Sequence, residues 1–325
     1  MLFKVARQLV IALIITIVIA LVLVLTQSPK PPVGQAGLDF SDALTAERAD
    51  PAPLQSIPMR DGYPLQVRTY GGADNVPLLV LVHGSAWHGL QFDNLANALQ
   101  GDADVIVPDL RGHGTAPDRR GDVDYIGQLE DDLADMIAAV VKPGQKVIMG
   151  GHSSGGGLVV RFAGGSHGAM LDGAVLLAPY LKYNAPTTRE DSGGWVDAAT
   201  RRIIGLGILN SFGITALNRL PVVAFNMPQE VIDGPLGDTA TLSYTHRLNT
   251  SFAPRQAYLE DVAALPPFVV LAGGADEAFI SSQYAPTMGA VTNKGRYDMI
   301  LGATHLGLVD DPRTRAIIAG FLNDI

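Results

Sequence analysis

Residues 146–162 read KVIMGGHSSGGGLVVRF, and this stretch decides the fold. Its first four residues are typical of a buried strand, a glycine-rich turn then carries Ser153, and a helical spacing of apolar residues begins at Leu158. A serine in such a strand–turn–helix has a strained backbone, and the close approach of strand and helix allows only small neighbours, here Gly151 and Gly155. We therefore predict that Ser153 is a nucleophile.

The G-x-S-x-G pattern alone arises readily by chance in a chain with 36 glycines. A glycine-rich helix start can also bind phosphate, but the lysine that a phosphate-binding loop requires does not follow here. The strand before the turn and the helix after it favour the nucleophile over the phosphate loop.

Short apolar runs alternate with longer helical patterns along most of the chain, which predicts a mostly parallel sheet with crossover helices on both faces. Several runs are apolar continuously, as strands covered on both faces require. The predicted strands are Leu65–Tyr70, Pro77–Val82, Val105–Pro108, Lys146–Met149, Ala174–Leu177, Phe268–Ala272 and Arg296–Leu301.

One connection in this α/β pattern is too long for a simple crossover. Residues 182–264 separate the fifth and sixth predicted strands, so we predict an inserted lid between a first core part (56–181) and a second one (265–325). Within the lid, residues 203–225 are rich in Ile, Leu and Val but interrupted by Gly and Pro, which predicts short, mobile helices.

The N-terminus carries a candidate membrane helix. From Leu9 to Leu25 every residue except Thr16 is apolar, and a helix of this length rises about 26 Å against a hydrocarbon core of about 30 Å. A cleaved signal peptide is the alternative, but no small-x-small cleavage pattern follows the run. We predict an anchor (1–27) and a Pro/Gly-rich tether (28–55), with Lys4 and Arg7 cytoplasmic and the catalytic body outside the cytoplasmic membrane.

The composition describes an acidic globular chain. Of its 325 residues 47% are hydrophobic and 17% charged, which excludes a disordered protein. The absence of cysteine excludes disulfides, a thiolate nucleophile and cysteine-ligated metals. A net charge of −9 argues against a nucleic-acid partner. We expect no metal and no cofactor, and an attachment to the membrane through the N-terminal helix alone.

A serine hydroxyl needs a base, and seven histidines are candidates. His305 lies in a short loop directly after the last predicted strand, where a general base follows in chain order Ser, Asp, His. We predict that His305 is the base.

The base needs a carboxylate to orient it. Asp276 follows the strand that ends at Ala272, at the sheet edge where loops build active sites. Glu277 is a direct rival, and no acid follows the strand that ends at Leu177. We predict that Asp276 is the orienting residue.

Two backbone amides are expected to stabilise the oxyanion, one after the nucleophile and one after the strand that ends in Val82. These are Ser154 and Ser85. Gly84 lets the second loop turn its amides inward, and His83 is expected to be structural. Trp87 is a candidate for lining the substrate pocket, although a plain packing role fits it equally.

Taken together, these residues resemble the monoacylglycerol lipase and lysophospholipase-like (serine aminopeptidase-like) group of α/β-hydrolases. The resemblance spans about residue 56 to the C-terminus except the lid. It is carried by residues 60–65 (RDGYPL), 81–84 (LVHG) and 108–114 (PDLRGHG), the turn around Ser153, and the Asp276 and His305 loops.

The resemblance implies an α/β-hydrolase fold and ester hydrolysis through an acyl-enzyme, with lipid-derived esters as expected substrates. Three alternatives stay open: an acyltransferase, an aminopeptidase in which lid acids such as Glu190, Asp191 or Glu230 bind the amino terminus, and a non-catalytic, membrane-tethered binding module.

Overall fold

The computed structural model describes residues 2–31, 37–41, 51–73 and 75–325. Much of the predicted tether (28–55) therefore lies outside the described residues, as does the first residue of the predicted anchor. The lid acid Asp191 is described in its backbone only.

The main sheet has eight strands in the order β1-β2-β4-β3-β5-β6-β10-β11. The pairs β1/β2 and β2/β4 are antiparallel and the remaining pairs are parallel. The strands of this sheet are β1 Gln55–Pro58, β2 Pro64–Tyr70, β3 Leu78–Val82, β4 Asp104–Pro108, β5 Val147–His152, β6 Gly173–Leu177, β10 Phe268–Gly273 and β11 Gly295–Ile300. All seven predicted runs are strands, which confirms the mostly parallel α/β class.

Ten α-helices lie in the described part of the chain. They are α1 Leu2–Leu25, α2 Asp93–Leu99, α3 Gln128–Val140, α4 Ser154–Ala163, α5 Thr200–Ser211, α6 Gln229–Ile232, α7 His246–Phe252, α8 Tyr258–Ala264, α9 Tyr284–Gly289 and α10 Pro312–Asp324. Helices α2, α3 and α4 connect successive parallel strands of the sheet.

The centre of the sheet is fully buried. Every residue of β3, β5, β6 and β10 is buried, so these strands are covered on both faces. This burial explains their continuous apolar runs. Because the parallel strands end at one edge, the loops after β3, β5, β10 and β11 meet there.

The lid (residues 182–264) contains a second, antiparallel sheet with the strand order β7-β8-β9. Its strands are β7 Val196–Ala198, β8 Pro221–Phe225 and β9 Ser243–Thr245. The sequence interpretation of residues 203–225 was partly wrong, because this region holds one regular helix, the end of α5, and then a strand. Pro221 is tolerated because it is the first residue of β8.

Candidate active site

Ser153 lies between the end of β5 and the start of α4 with φ 55° and ψ −120°. Its amide donates to the carbonyl of Leu177 over 2.9 Å, and its carbonyl accepts from the amides of Gly157 (3.0 Å) and Tyr180 (2.9 Å). These bonds hold a non-glycine residue in a backbone conformation that is otherwise unfavourable.

Two glycines permit this turn. A Cβ on Gly151 would overlap the backbone of Gly155, and a Cβ on Gly155 would overlap the carbonyl of Val82. The turn therefore packs backbone against backbone, as the G-x-S-x-G spacing requires.

Asp276 follows β10, His305 follows β11, and their side chains form a buried pair. His305 Nδ1 lies 2.9 Å from Asp276 Oδ2, and both side chains are 1% exposed. The other carboxylate oxygen accepts from the amides of Ala278 (2.8 Å) and Phe279 (2.7 Å). This geometry fixes the Nδ1–H tautomer of His305 and leaves Nε2 as the proton acceptor.

Burial raises the pKa of Asp276, but the charge and hydrogen bond of His305 and the amides of Phe279 and Ala278 outweigh it, so its pKa lies below its ordinary value. Asp276 is therefore an anion at neutral pH.

Ser153 and His305 border the same cavity of about 300 Å³. Among the hydrogen bonds of the described residues, none joins the Ser153 hydroxyl to His305 Nε2. Such bonds are often long without substrate and shorten when substrate binds.

The loop after β3 offers one unused amide to this cavity. The amide of Gly84 donates to Gln91 Oε1 over 2.8 Å, and that of Ala86 donates to the Tyr244 hydroxyl over 2.6 Å. Within the described part of the chain, the amide of Ser85 between them has no acceptor. Ser154 is the first residue of α4, where helix amides lack partners within the helix. Both predicted oxyanion donors thus have the required chemistry.

His83 lies under this loop with both ring nitrogens used. Its Nδ1–H donates to the carbonyl of Gly84 over 2.8 Å, and Nε2 accepts from the amide of Leu110 over 3.1 Å. Burial lowers its pKa, so the ring is neutral and structural.

The lid also supports the loop after β3. The Tyr244 hydroxyl of β9, which accepts from Ala86, donates to Nε2 of His113 over 2.6 Å. Burial lowers the pKa of His113 well below its ordinary value, so its Nε2 is available as an acceptor. The 108–114 motif is thereby connected to the lid and to the Ser85 loop.

A relay of hydrogen bonds that the sequence interpretation missed joins the His305 loop to the loop after β3. His152 Nε2–H donates to the carbonyl of His305 over 2.9 Å, and Gln91 Nε2 donates to His152 Nδ1 over 2.8 Å. Gln91 Oε1 then accepts from Gly84. Burial and the charge of His305 lower the pKa of His152 to about 3, so His152 is a neutral link and not a second base.

A second missed element is the segment at residues 37–41, which lies inside the predicted tether. Leu38 and Phe40 line the cavity, and the ring of Phe40 lies 5.8 Å from the rings of both Trp87 and Trp195. Trp195, from the lid, donates its indole N–H to Ser85 Oγ over 3.2 Å. Trp87 therefore lines the pocket as part of an aromatic wall that the sequence, with its isolated Phe40, does not reveal.

Glu277, the rival of Asp276, forms hydrogen bonds to backbone amides within the described part of the chain. One of its oxygens accepts from the amide of His305 over 2.7 Å, and the other accepts from the amide of Asp39 over 2.8 Å. Asp276 contacts the imidazole ring, whereas Glu277 connects the His305 loop to the 37–41 segment.

A model of the alpha/beta hydrolase family matches residues 79–316, which is most of the chain. The chain belongs to the α/β-hydrolase family. This confirms the family and the fold that the sequence resemblance implies.

Solved structures agree with this fold. A soluble variant of monoglyceride lipase from Saccharomyces cerevisiae is 16% identical with a TM-score of 0.66, covering 86% of this chain and 97% of that one. An esterase from Thermogutta terrifontis is 21% identical with a TM-score of 0.57, covering 84% and 99%. A bacterial membrane phospholipase A is 16% identical with a TM-score of 0.56, covering 84% and 86%. A search of curated protein sequences found no match.

Proposed function

We propose that this α/β-hydrolase is a membrane-anchored serine hydrolase that cleaves carboxylic esters of lipids, of the monoacylglycerol or lysophospholipid type. The observation that carries the proposal is the buried Asp276–His305 pair beside Ser153, whose strained backbone is typical of an activated nucleophile.

The proposed reaction starts when His305 Nε2 takes the proton of Ser153 and the serine oxygen attacks the ester carbonyl carbon. The amides of Ser85 and Ser154 donate to the oxyanion that forms. His305 then gives its proton to the leaving alcohol, which leaves an acyl group on Ser153. Water activated by His305 hydrolyses this acyl-enzyme, and Asp276 stabilises the imidazolium in both halves of the reaction.

The apolar lining of the cavity supports an acyl chain as ligand. Six aliphatic and aromatic side chains form one part of its wall: Leu38, Phe40, Trp87, Trp195, Leu306 and Val309. A monoglyceride lipase and a membrane phospholipase A have the same fold, which is consistent with a lipid ester.

Helix α1 supports the membrane anchor. It is the one helix in the described part of the chain that is long and apolar enough to cross a bilayer. Lys4 and Arg7 near its start favour a cytoplasmic N-terminus, which places the sheet and the lid on the opposite side of the cytoplasmic membrane.

The test combines a fluorophosphonate probe with a panel of esters that differ in acyl length and head group. We expect the probe to label the full chain, Ser153→Ala to abolish both labelling and turnover, and Ser166→Ala, at an exposed serine after α4, to change neither. The loss in Ser153→Ala should exceed about a thousandfold. Undiminished labelling or turnover in folded Ser153→Ala protein would refute the assignment.

A further inference from the structure

Helix α1 packs against the lid with one end only. Residues 2–15 are exposed, whereas Ala20 and Val24 are buried and Ile17 and Leu21 are half-buried. These four residues form one stripe at helical spacing. From Leu9 to Leu25 the remaining surface of α1 is apolar apart from Thr16, and most of it is exposed.

The stripe packs on α5 of the lid at a very close crossing. A Cβ on Gly205 would lie 2.6 Å from the carbonyl oxygen of Ala20 and 2.8 Å from Val24 Cγ2. Small residues at such a crossing let helix backbones approach, as in pairs of membrane helices.

The two helices run antiparallel. Arg202, in the first turn of α5, donates to the carbonyl of Val24 over 3.0 Å and to Ser28 Oγ over 2.7 Å. The next turn, at Gly205, lies beside Ala20. Each further turn of α5 is therefore nearer to the start of α1.

This direction brings α5 to the depth of the apolar part of α1. Along the axis of α1, Ala20 lies about 7 Å and Ile17 about 12 Å from Leu25, where the apolar run ends. Half of a hydrocarbon core is about 15 Å thick. If α1 crosses the bilayer, the second half of α5 lies beside it within the same half of the bilayer.

The chemistry of this part of the lid fits lipid. No charged residue occurs in residues 203–218, whereas Arg201 and Arg219, which are both exposed, lie on either side of the stretch. Ile204 and Phe212 are 51% and 47% exposed. An apolar surface bordered by arginines suits acyl chains below and lipid phosphates above.

Several polar groups of the stretch are bonded within the protein, and the side-chain oxygens of Asn210 and Asn218, which have no partner among the described residues, are buried away from the surface. Ser211 Oγ donates back to the carbonyl of Ile208 over 2.7 Å, and Asn210 Nδ2 donates to His246 Nε2 over 3.2 Å. The amides of Gly213 and Ile214 bond to carbonyls of α5. Such internal bonding is what a lipid-exposed segment requires.

We infer that the second half of α5 and the turn after it, residues 204–214, insert beside α1 into the acyl region of the extracytoplasmic half of the bilayer. The inference rests on the proposed membrane anchor. It also places the active site next to the lipid, because Trp195 of the cavity wall is separated from α5 by β7 alone.

The chain has no cysteine, so single labels test the inference in the full-length protein. An environment-sensitive fluorophore is placed at Phe212→Cys in α5, at Leu13→Cys in α1 as the anchor reference, and at Lys142→Cys as the aqueous control. Lys142 is exposed before β5, at the sheet edge opposite the active site. The protein is reconstituted in phosphatidylcholine vesicles, and doxyl-labelled lipids and a soluble iodide quencher are compared.

We expect doxyl lipid to quench the labels at positions 212 and 13, and iodide to quench only the label at 142. Quenching of position 212 by iodide with position 13 in lipid would overturn the inference and leave the anchor intact. Protection of position 212 from both quenchers would indicate a second protein copy there and would also overturn it. A label at 13 that is lost with a cleaved segment or exposed to iodide would refute the anchor, and the inference with it.

Enzyme activity gives an independent readout. Phe212→Asp places a charge in the inserted turn, and Val291→Asp, at an exposed apolar residue before β11, is the matched surface control. We expect Phe212→Asp to lower turnover of a monoacylglycerol in vesicles at least tenfold and to leave turnover of a water-soluble short-chain ester unchanged. Equal rates of wild type and Phe212→Asp on the vesicle substrate would count against insertion.

Discussion

Ser153, Asp276 and His305 come from the ends of three parallel strands, whereas Leu38, Phe40 and Trp195 of the apolar wall come from residues 37–41 and the lid. The first group is held by directed hydrogen bonds between buried atoms, the second mostly by packing of aromatic rings. The difference teaches that reaction chemistry and substrate choice are separable here. We expect substitutions in the first group to lower kcat on a soluble ester, and substitutions in the second to lower kcat/KM for long-chain esters.

The largest effect is expected from the carboxylate that contacts the imidazole. Asp276→Asn removes the anion that fixes the tautomer of His305 and stabilises its charge, so we expect kcat to fall by about 10³–10⁴-fold. Steady-state kinetics on a soluble ester measure this loss.

Glu277→Gln is the matched comparison for Asp276→Asn. It keeps the shape of a side chain whose hydrogen bonds among the described residues go to the amides of His305 and Asp39, and it removes one of these two bonds because the NH2 of glutamine cannot accept. We expect at most about a tenfold loss, the scale of one hydrogen bond. Equal losses in the two variants would contradict the distinct roles of the neighbouring acids.

The next effect concerns the relay of hydrogen bonds between the His305 loop and the loop after β3. Gln91→Met keeps the side-chain length but leaves the amide of Gly84 and Nδ1 of His152 without partners. An unpaired buried polar group costs about 1–3 kcal/mol. Because both groups lie at the cavity, where water reaches them in part, we expect a loss near the lower end for two groups, about 2 kcal/mol in unfolding free energy, together with a lower kcat.

Urea denaturation and kcat on a soluble ester test the Gln91 variant. Gln100→Met, at an exposed position after α2, is the control and should change neither. A folded Gln91→Met protein with unchanged stability would show that the relay contributes nothing.

The sequence predicts the catalytic loops better than the apolar wall. The turn at Ser153 and the loops of Asp276 and His305 are predictable because each is local: a strand end, a few glycines and one polar residue. Their roles stay predictions, which the Asp276 and Ser153 variants test. Phe40 and Trp195 are not predictable in this way, because they meet Trp87 only after the chain has folded.

The same argument explains β1 and β8. Gln55–Pro58 is too short and polar for a periodic signal and is a strand because β2 offers an edge. Pro221 in β8 interrupts the pattern, but its missing amide is harmless at the first residue of a strand. Both segments are strands because a neighbouring strand pairs with them in the folded chain.

Phe40→Ala tests the packed wall. Removing the ring opens the cavity between Trp87 and Trp195 and lowers the burial of a long acyl chain, which we expect to reduce kcat/KM for long-chain esters about tenfold, the equivalent of one to two buried methylenes. Acetyl esters should react at nearly the wild-type rate. Leu54→Ala, at an exposed leucine before β1, is the control.

A selective loss on long chains would assign Phe40 to substrate choice. An equal loss on acetyl and long-chain esters would instead place Phe40 with the residues that support the reaction itself, and would break the separation between the two regions.

An effect confined to acidic pH is a pH dependence of stability that originates in the lid. Burial lowers the pKa of His246 in α7 to about 4, compared with about 6.5 in the unfolded chain. Between these values the unfolded state binds the proton and the folded state does not. The contribution of His246 is therefore fully present above about pH 6.5 and is lost as the pH falls toward 4, with a slope of up to about 1.4 kcal/mol per pH unit.

His246→Gln removes this titration and leaves the other buried groups in place, so the difference between variant and wild type isolates it. Urea denaturation at several pH values between 4.5 and 7.5 should give a shallower dependence for the variant by about one proton. Parallel curves for the two proteins would mean that His246 titrates alike in the folded and unfolded states. The steep residual slope would then belong to the buried histidines of the core, His152 and His113, whose pKa values are lowered as well.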